Sequence, residues 1–285
     1  MSLINKFKKG IKLLRQQLSE ENGWKKLLGN ILVFAKISSF MTIKRNGYKL
    51  RFFPTALSVT MFQSSDAWRY EEVFLEQYLK ECDVIIDIGA NIGNVGIKAA
   101  SLNKSNKVFA IEAHPKIYYY LLKNIELNNL TNIVAFNFAV GNSNSGSISF
   151  TDGISDDINC VNVNSTSGIN VEIRTLDSII NQANIDFMKI DVEGYELEVF
   201  RGAHNSLLAT NCIMFESWEN HYNRYGTTSL EVHDYLRNYG FSIHSWDGIN
   251  LSLIDIKYIS NKCENLLAIK NMEEFYTRIN NIKAK

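Results

Sequence analysis

Asp87 is followed by Gly89, Asn91 and Gly93 in the run DVIIDIGANIGNVG, and Glu112 closes the next apolar run, KVFAIE, 23 positions after Gly89. An acidic side chain brought by a buried strand to such a turn faces a ligand that approaches the backbone closely, because glycine takes positive φ freely and asparagine tolerates it. The glycines stand at 89, 93 and 96, which is not the G-x-G-x-x-G spacing of a dinucleotide fold, and Asp87 would repel a pyrophosphate. A phosphate-free ligand with ammonium and sulfonium centres, S-adenosylmethionine, is attracted instead. Glu112 is then placed to accept both hydroxyls of an adenosine ribose. The plainer alternative makes Asp87 a helix cap and Glu112 a solvated loop acid; the two at this spacing favour the ligand.

A second set lies further along the chain. Asp191 and Glu193 end the run FMKIDVEG, Glu216 ends CIMFES, and His221 follows. A carboxylate or imidazole within hydrogen-bond reach of a hydroxyl takes its proton during group transfer. Asp191 and Glu193 are the first choice, on the same side if the strand persists to Glu193, although Gly194 signals a turn. Glu193 is otherwise a first-turn acid of the next helix, and His221, whose charge changes near neutral pH, is a base or merely a solvated loop residue. Asp191, Glu193 and Glu216 would also suit Mg²⁺, but carboxylates at strand ends are too common to assign a metal. Trp218, Tyr222 and Tyr225 fall in the polar loop after CIMFES and are expected to wall an acceptor. Tyr118, Tyr119 and Tyr120 read as helix packing, and His114 as shaping the loop beside Glu112.

These residues need a scaffold that brings several strand ends together. Seven apolar runs, VIIDIG, KVFAIEA, IVAFNFAVG, FMKIDVEG, CIMFES, GFSIHSW and NLLAIK, alternate mostly with helical patterns near 94–102, 116–128, 196–208 and after 229. Continuous β-branched and aromatic runs predict strands buried on both faces, hence an α/β fold with a doubly wound, mostly parallel seven-stranded sheet, Rossmann-like, whose last strands are antiparallel. Ligands of such sheets bind beyond the strands' carboxyl ends at the topological switch point. Residues 142–170, rich in Ser, Asn, Asp and Gly, predict a long loop or small hairpin. Upstream, FMTIKRNGYKLRFFP predicts a hairpin around Asn46-Gly47, preceded by helices over 3–18 and 24–40. The division expected is an extension, 1–66, and a ligand-binding domain, 67–285.

Composition sets the bounds. With 285 residues, 46% of them hydrophobic, the chain can bury a full core. No stretch reaches the roughly 18–20 apolar residues that span a bilayer, and the start MSLINKFKKG lacks the apolar region of a secretory signal. Cys82, Cys160, Cys212 and Cys263 lack metal-site spacing and read as buried free thiols of a cytoplasmic protein. Eleven of the 30 Lys and Arg but only two of the 30 Asp and Glu lie in residues 1–50, a basic arm on an acidic body. The arm suits the inner face of a membrane or a polyanion, or packs with its lysines in water. The body offers nucleic acid no basic stripe.

The segments DVIIDIGANIGNVG, VFAIEAHP, LLKNIELNNLTNI, FAVGNSNSGSISF, RTLDSII and DFMKIDVEGYELEVFRGA resemble the FkbM-type S-adenosylmethionine-dependent methyltransferases over about Glu72 to Phe215. The last is the most specific. The resemblance implies O-methylation of a hydroxyl on a sugar, glycan or secondary metabolite. It places the methionine end at Asp87, Gly89, Asn91 and Gly93, the ribose at Glu112, and methyl transfer at Asp191 and Glu193. Ala113 departs from the proline that commonly follows the glutamate. Two other classes remain: a non-catalytic binding module that keeps the fold, and a nicotinamide-dependent oxidoreductase, disfavoured by the glycine spacing and Asp87.

Overall fold

A computed structural model describes residues 22–150, 161, 168–279 and 283–284. The helix expected over 3–18, Cys160 and part of the 142–170 loop lie outside the described residues.

The chain runs α1 (Gly23–Phe34), β1 (Thr42–Lys44), β2 (Lys49–Arg51), α2 (Ala56–Gln63) and α3 (Arg69–Tyr78), then β3 (Val84–Ile88), α4 (Asn94–Leu102), β4 (Lys107–Ile111), α5 (Pro115–Leu127) and β5 (Ile133–Phe136). Next come β6 (Ala139–Val140), β7 (Ser147–Phe150), β8 (Ile169–Arg174) and β9 (Ile185–Ile190). The rest is α6 (Glu196–Arg201), α7 (His204–Ala209), β10 (Thr210–Ser217), α8 (Glu219–Tyr222), α9 (Ser229–Asn238), β11 (Ser242–Trp246), β12 (Asn250–Leu253), β13 (Glu264–Ile269), α10 (Met272–Arg278) and β14 (Lys283–Ala284).

The main sheet has the order β14-β12-β11-β13-β10-β9-β3-β4-β5. The seven strands from β11 to β5 are those the apolar runs predict; β12 and β14 extend the other edge to make nine. From β10 to β5 the pairs are parallel, and β13 joins β10 antiparallel. Successive strand residues face opposite sides: Ile85 and Phe187 join one core with α3 and α4, while Ile86 and Met188 join the other with α6 and α9. Both faces are thus covered, which is why these strands read as unbroken apolar runs. The chain winds outward from β3 through β4 to β5 and returns to β9 on β3's other side, so the switch point lies between β3 and β9.

Beside it, β6, β7 and β8 form a small sheet, with β7 and β8 antiparallel in the 142–170 region. The hairpin β1–β2 turns at Gly47, φ 85°. It is tied to α5 where Asn124 Oδ1 and Asn128 Oδ1 accept from Arg51 N and Lys49 N, each at 2.8 Å. Ile43, Leu50 and Phe52 belong to the same core as Ile85, so the extension shares its interior with the sheet. Helix α2 was not evident from periodicity; Thr55 starts it by accepting from Ser58 N at 3.1 Å. The helix expected over 196–208 is broken at Gly202 into α6 and α7, because a Cβ there would meet Gly141 O at 1.9 Å. Of the described cysteines only Cys212 is buried; Cys82 and Cys263 are exposed, contrary to expectation, because both lie in loops outside the strands.

Candidate active site

The cleft opens at the carboxyl ends of β3, β4 and β9. Asp87, Gly89, Asn91, Glu112, Asp191 and Glu193 all line it. Asp87 is buried at the last turn of β3, and its Oδ2 accepts from Gly96 N, in the first turn of α4, at 2.8 Å. The helix cap and the cleft residue are therefore one side chain, with Oδ1 left for a ligand. Gly89 has φ 77°, and a Cβ would stand 1.8 Å from Asp191 O. Its glycine lets the β3 and β9 loops touch. Asn91 takes φ 51°. Its N–H donates to Glu112 Oε2 at 2.9 Å while His114 N–H donates to Oε1 at 2.8 Å. Two amides from two loops thus orient the Glu112 carboxylate, which lines the cleft. His114, expected to shape the loop, caps α5, its Nδ1 accepting from Lys116 N at 3.2 Å.

Gly93 differs from its expected place. It caps α4 at φ 97°, and a Cβ would press on Ile97 and Leu121 at 2.7 Å. It shapes the turn against the core, and the residues that line the cleft do not include it.

At the other end, β9 stops at Ile190, and Glu193 sits in the left-handed region, φ 58°. Strand alternation therefore does not carry Glu193 to the side of Asp191; the turn does. Nor does Glu193 cap α6. The N-terminus of α6 has no side-chain cap, and Glu196 Oε1 instead ties down the loop before it, accepting from Val192 N at 3.1 Å and Gly194 N at 3.3 Å. In the cleft lining, buried Lys189 reaches Asp191 Oδ2 at 3.2 Å and Asn265 Oδ1 at 2.8 Å. Sequence reasoning missed Lys189; the signal was a lysine inside the otherwise apolar run FMKI, where a charge must be paired.

Glu216 and His221 are drawn to the same corner. His221 Nδ1 lies 3.3 Å from Glu216 Oε2 and 3.3 Å from Glu193 Oε2, and Cys263 Sγ donates to Glu216 Oε1 at 2.7 Å. His221 is buried, not a solvated loop histidine. Glu193, Glu216 and His221 offer donor atoms within 4.8 Å of one another, a set that could hold a metal ion; His221 takes the place that Asp191 had in the sequence expectation.

Burial splits the charges of this corner. Desolvation, then the negative neighbours Glu216 and Asp191, push Glu193 up to about 9. Burial also drives Glu216 upward, but hydrogen bonds from His221 and Cys263 and the charge of Lys189 outweigh it, so Glu216 is held below the ordinary range. Desolvation raises Asp191 against the pull of Lys189, and raises Asp87 to about 7. One carboxyl of the Glu193–Glu216 pair is thus neutral at pH 7 and the other ionised.

The aromatic wall is partly relocated. Tyr222 is fully buried, with its hydroxyl donating to Glu216 O at 2.8 Å; it is core, not wall. Trp218 covers His221 with ring centroids 4.3 Å apart. Tyr225 packs edge-on against Tyr195 at 5.3 Å, and Tyr195, unexpected from sequence, lines the cleft.

A family model described as the methyltransferase FkbM domain matches residues 87–243, more than half of the chain. The chain belongs to the FkbM methyltransferase family. This FkbM methyltransferase is 28% identical over 197 residues, 63% of its length and 75% of the relative's, to hexuronic acid methyltransferase AglP of Haloferax volcanii. A shorter match, 43% identical over 54 residues and covering 19% of this chain and 22% of the relative, is to a tRNA(Phe) (4-demethylwyosine(37)-C(7)) aminocarboxypropyltransferase of Methanocaldococcus jannaschii. Among solved structures it is similar to TYW2 of M. jannaschii in complex with AdoMet, at 16% identity and TM-score 0.44, over 80% of this chain and 84% of that one. The methyl donor of an FkbM methyltransferase is S-adenosylmethionine, and the cleft fits it. Glu112 could accept from ribose hydroxyls, Ile117, Phe138 and Val140 are apolar side chains that could border a base, and Asp87 could offer negative charge. Among the described residues no helix is long and apolar enough to cross a membrane.

Proposed function

We propose that this FkbM methyltransferase methylates a hydroxyl of a sugar or similarly hydroxylated acceptor, with the His221–Glu216 pair as base. The observation that carries the reading is His221 Nδ1 held 3.3 Å from Glu216 Oε2 next to Glu193, which lines the cleft. Bound S-adenosylmethionine supplies an electrophilic methyl group on sulfonium. Transfer would form the oxygen–carbon bond as the carbon–sulfur bond breaks, its electron pair staying on sulfur in S-adenosylhomocysteine, and the acceptor oxygen would lose its proton. Glu216, kept ionised, accepts from the His221 Nδ1–H and so fixes the tautomer, which leaves the second ring nitrogen to take that proton. Glu216 then stabilises the imidazolium. Glu193, neutral at pH 7, hydrogen-bonds the acceptor, and Asp191, tethered by Lys189, positions it. Asp87, Asn91 and Glu112 hold the donor, while Gly89 and Gly93 shape the turn. Collinear placement of oxygen, methyl and sulfur supplies much of the remaining acceleration.

A metal-assisted variant has its own support in the donor set Glu193, Glu216 and His221, where a divalent cation would orient two hydroxyls. Full activity in excess chelator removes that variant. The main test is methyl transfer from labelled S-adenosylmethionine to a panel of neutral and uronic sugars. His221→Ala is expected to lower kcat by about 10²–10⁴-fold with donor affinity unchanged. Donor binding with no transfer to any hydroxylated acceptor would favour a binding module that keeps the fold, and wild-type kcat in His221→Ala would remove the base.

A further inference from the structure

Helix α1 is apolar on two opposite sides. Gly29 and Val33 face inward, with Gly29 so close that a Cβ would meet Phe52 at 3.2 Å and Val59 of α2 at 3.6 Å. The outer side carries Trp24, Leu28 and Ile31 at helical spacing, then Phe34, and the next turn adds Ile37 and Phe40. Phe34 is 90% exposed and Phe40 87%. A helix apolar all round is normally enclosed, and a contiguous exposed apolar surface marks an interaction site.

The charge around this face selects the partner. From residue 22 to residue 65 the chain has seven Lys or Arg and no Asp or Glu. Lys25 and Lys26, both half-buried, follow Trp24 in the first turn of α1, and Lys25 Nζ lies 5.8 Å from the Trp24 ring centroid. Beyond Phe40 a groove continues over Phe53 and Tyr120, bordered by Lys36, Arg51 and Lys123, of which Lys123 pairs with Glu126 at 2.8 Å. Phe34 and Phe40 stand out from the surface with almost their whole rings free. Such protruding rings fit a fluid interface, which needs no matching pocket, and the basic flanks fit anionic headgroups.

We propose that α1 and the turn through Phe40 dock this protein peripherally on an anionic phospholipid surface, Phe34 and Phe40 entering the acyl boundary and Lys25, Lys26 and Lys36 meeting phosphates. The acidic remainder of the chain orients the molecule, since it is repelled by the same surface. Docking also reaches the cleft: α1 packs on α2, and Ala56, Leu57 and Thr60 of α2 line it.

The test is flotation of the full chain with vesicles of phosphatidylcholine alone and with added phosphatidylglycerol, without S-adenosylmethionine, so that it is independent of the enzymatic reading. Binding to the anionic vesicles only, weakened by salt, is expected. Phe34→Ser with Phe40→Ser should weaken it at least tenfold, as should Lys25→Glu with Lys26→Glu. Both side chains of the first pair are solvated, so its thermal unfolding should match wild type. Three results overturn the proposal: no flotation with anionic vesicles at low salt, undiminished flotation of the phenylalanine variant, or a dimer in solution that this variant turns into monomer, which would make a second copy the occupant.

Discussion

Glu193 and Glu216 are the same residue type one contact apart, yet their surroundings give them opposite charge states. Glu193, raised to about 9, is a hydrogen-bonding acid at pH 7, whereas Glu216, held low by His221, Cys263 and Lys189, is an anion. Glu193→Gln preserves a neutral hydrogen-bonding group and should change kcat at neutral pH by less than about tenfold, whereas Glu216→Gln removes the charge behind the imidazole and should cost about 10²-fold or more. Equal losses in steady-state assays would mean that both act as anions. Asp87 makes a second test. Its carboxyl, raised to about 7 chiefly by burial, is half protonated in the free protein near neutrality, and a cationic donor binds the anion better. Binding must therefore release protons at and below about pH 7, and affinity must rise with pH through that value. Calorimetry in buffers of differing ionisation enthalpy should show the release, and Asp87→Asn should abolish it. Asp87 and Glu112 were legible because an acid closing an apolar strand is conspicuous. Lys189 was passed over although it sits in a buried strand: Asp191, two positions on, was read only as a base, and the other partner, Asn265, is 76 positions away.

Turns between elements decide the site more than the elements do. Strand β9 ends before Asp191, and two residues in left-handed conformations, Glu193 and Gly194, redirect the chain. Opposite them, Gly89 allows the β3 loop to meet Asp191 O. Gly89→Ala adds a Cβ at a positive φ and against a carbonyl, so one of the two loops must move. A loss of about 2–4 kcal/mol in denaturant unfolding is expected, together with weaker donor binding. Unchanged stability would mean that the two loops do not touch in solution. The sequence marked this turn as glycine-dependent, but assigned the dependence to a ligand; the neighbour that requires it is 102 positions away. Likewise Gly93 faces Ile97 and Leu121 in the core. Periodicity located the helices flanking the sheet but missed α2, whose eight residues are too short to establish a pattern.

At the scale of the molecule, α10 clasps the end of the sheet opposite the cleft. Arg278 reaches Asp83 Oδ2 at 2.8 Å, Asp186 Oδ1 at 2.6 Å and Glu274 Oε1 at 3.3 Å. The first two open and follow the starts of β3 and β9, the strands that flank the switch point. Arg278→Ala strands two buried carboxylates and should cost about 3 kcal/mol, measured by urea unfolding, with the donor still bound under native conditions. A change below 1 kcal/mol, about the size of a surface pair, would show that the clasp is solvated. The hairpin and α2 contribute to the same body: Ile43 and Phe52 share the core of β3, and α2 walls the cleft.

The sequence by itself determined the sheet and its winding, because strands buried on both faces must be continuously apolar and the helices between them must be amphipathic. It also determined the donor end of the cleft, whose glycine turn and two acids lie within 26 residues. Only the tertiary structure decided the transfer end. Glu193 follows β9, whereas Glu216 ends β10 and His221 lies in α8 just after it, and which is neutral, which is charged and which merely packs depends on burial and on neighbours that no local pattern encodes. It alone also showed that the apolar side of α1 is left facing water.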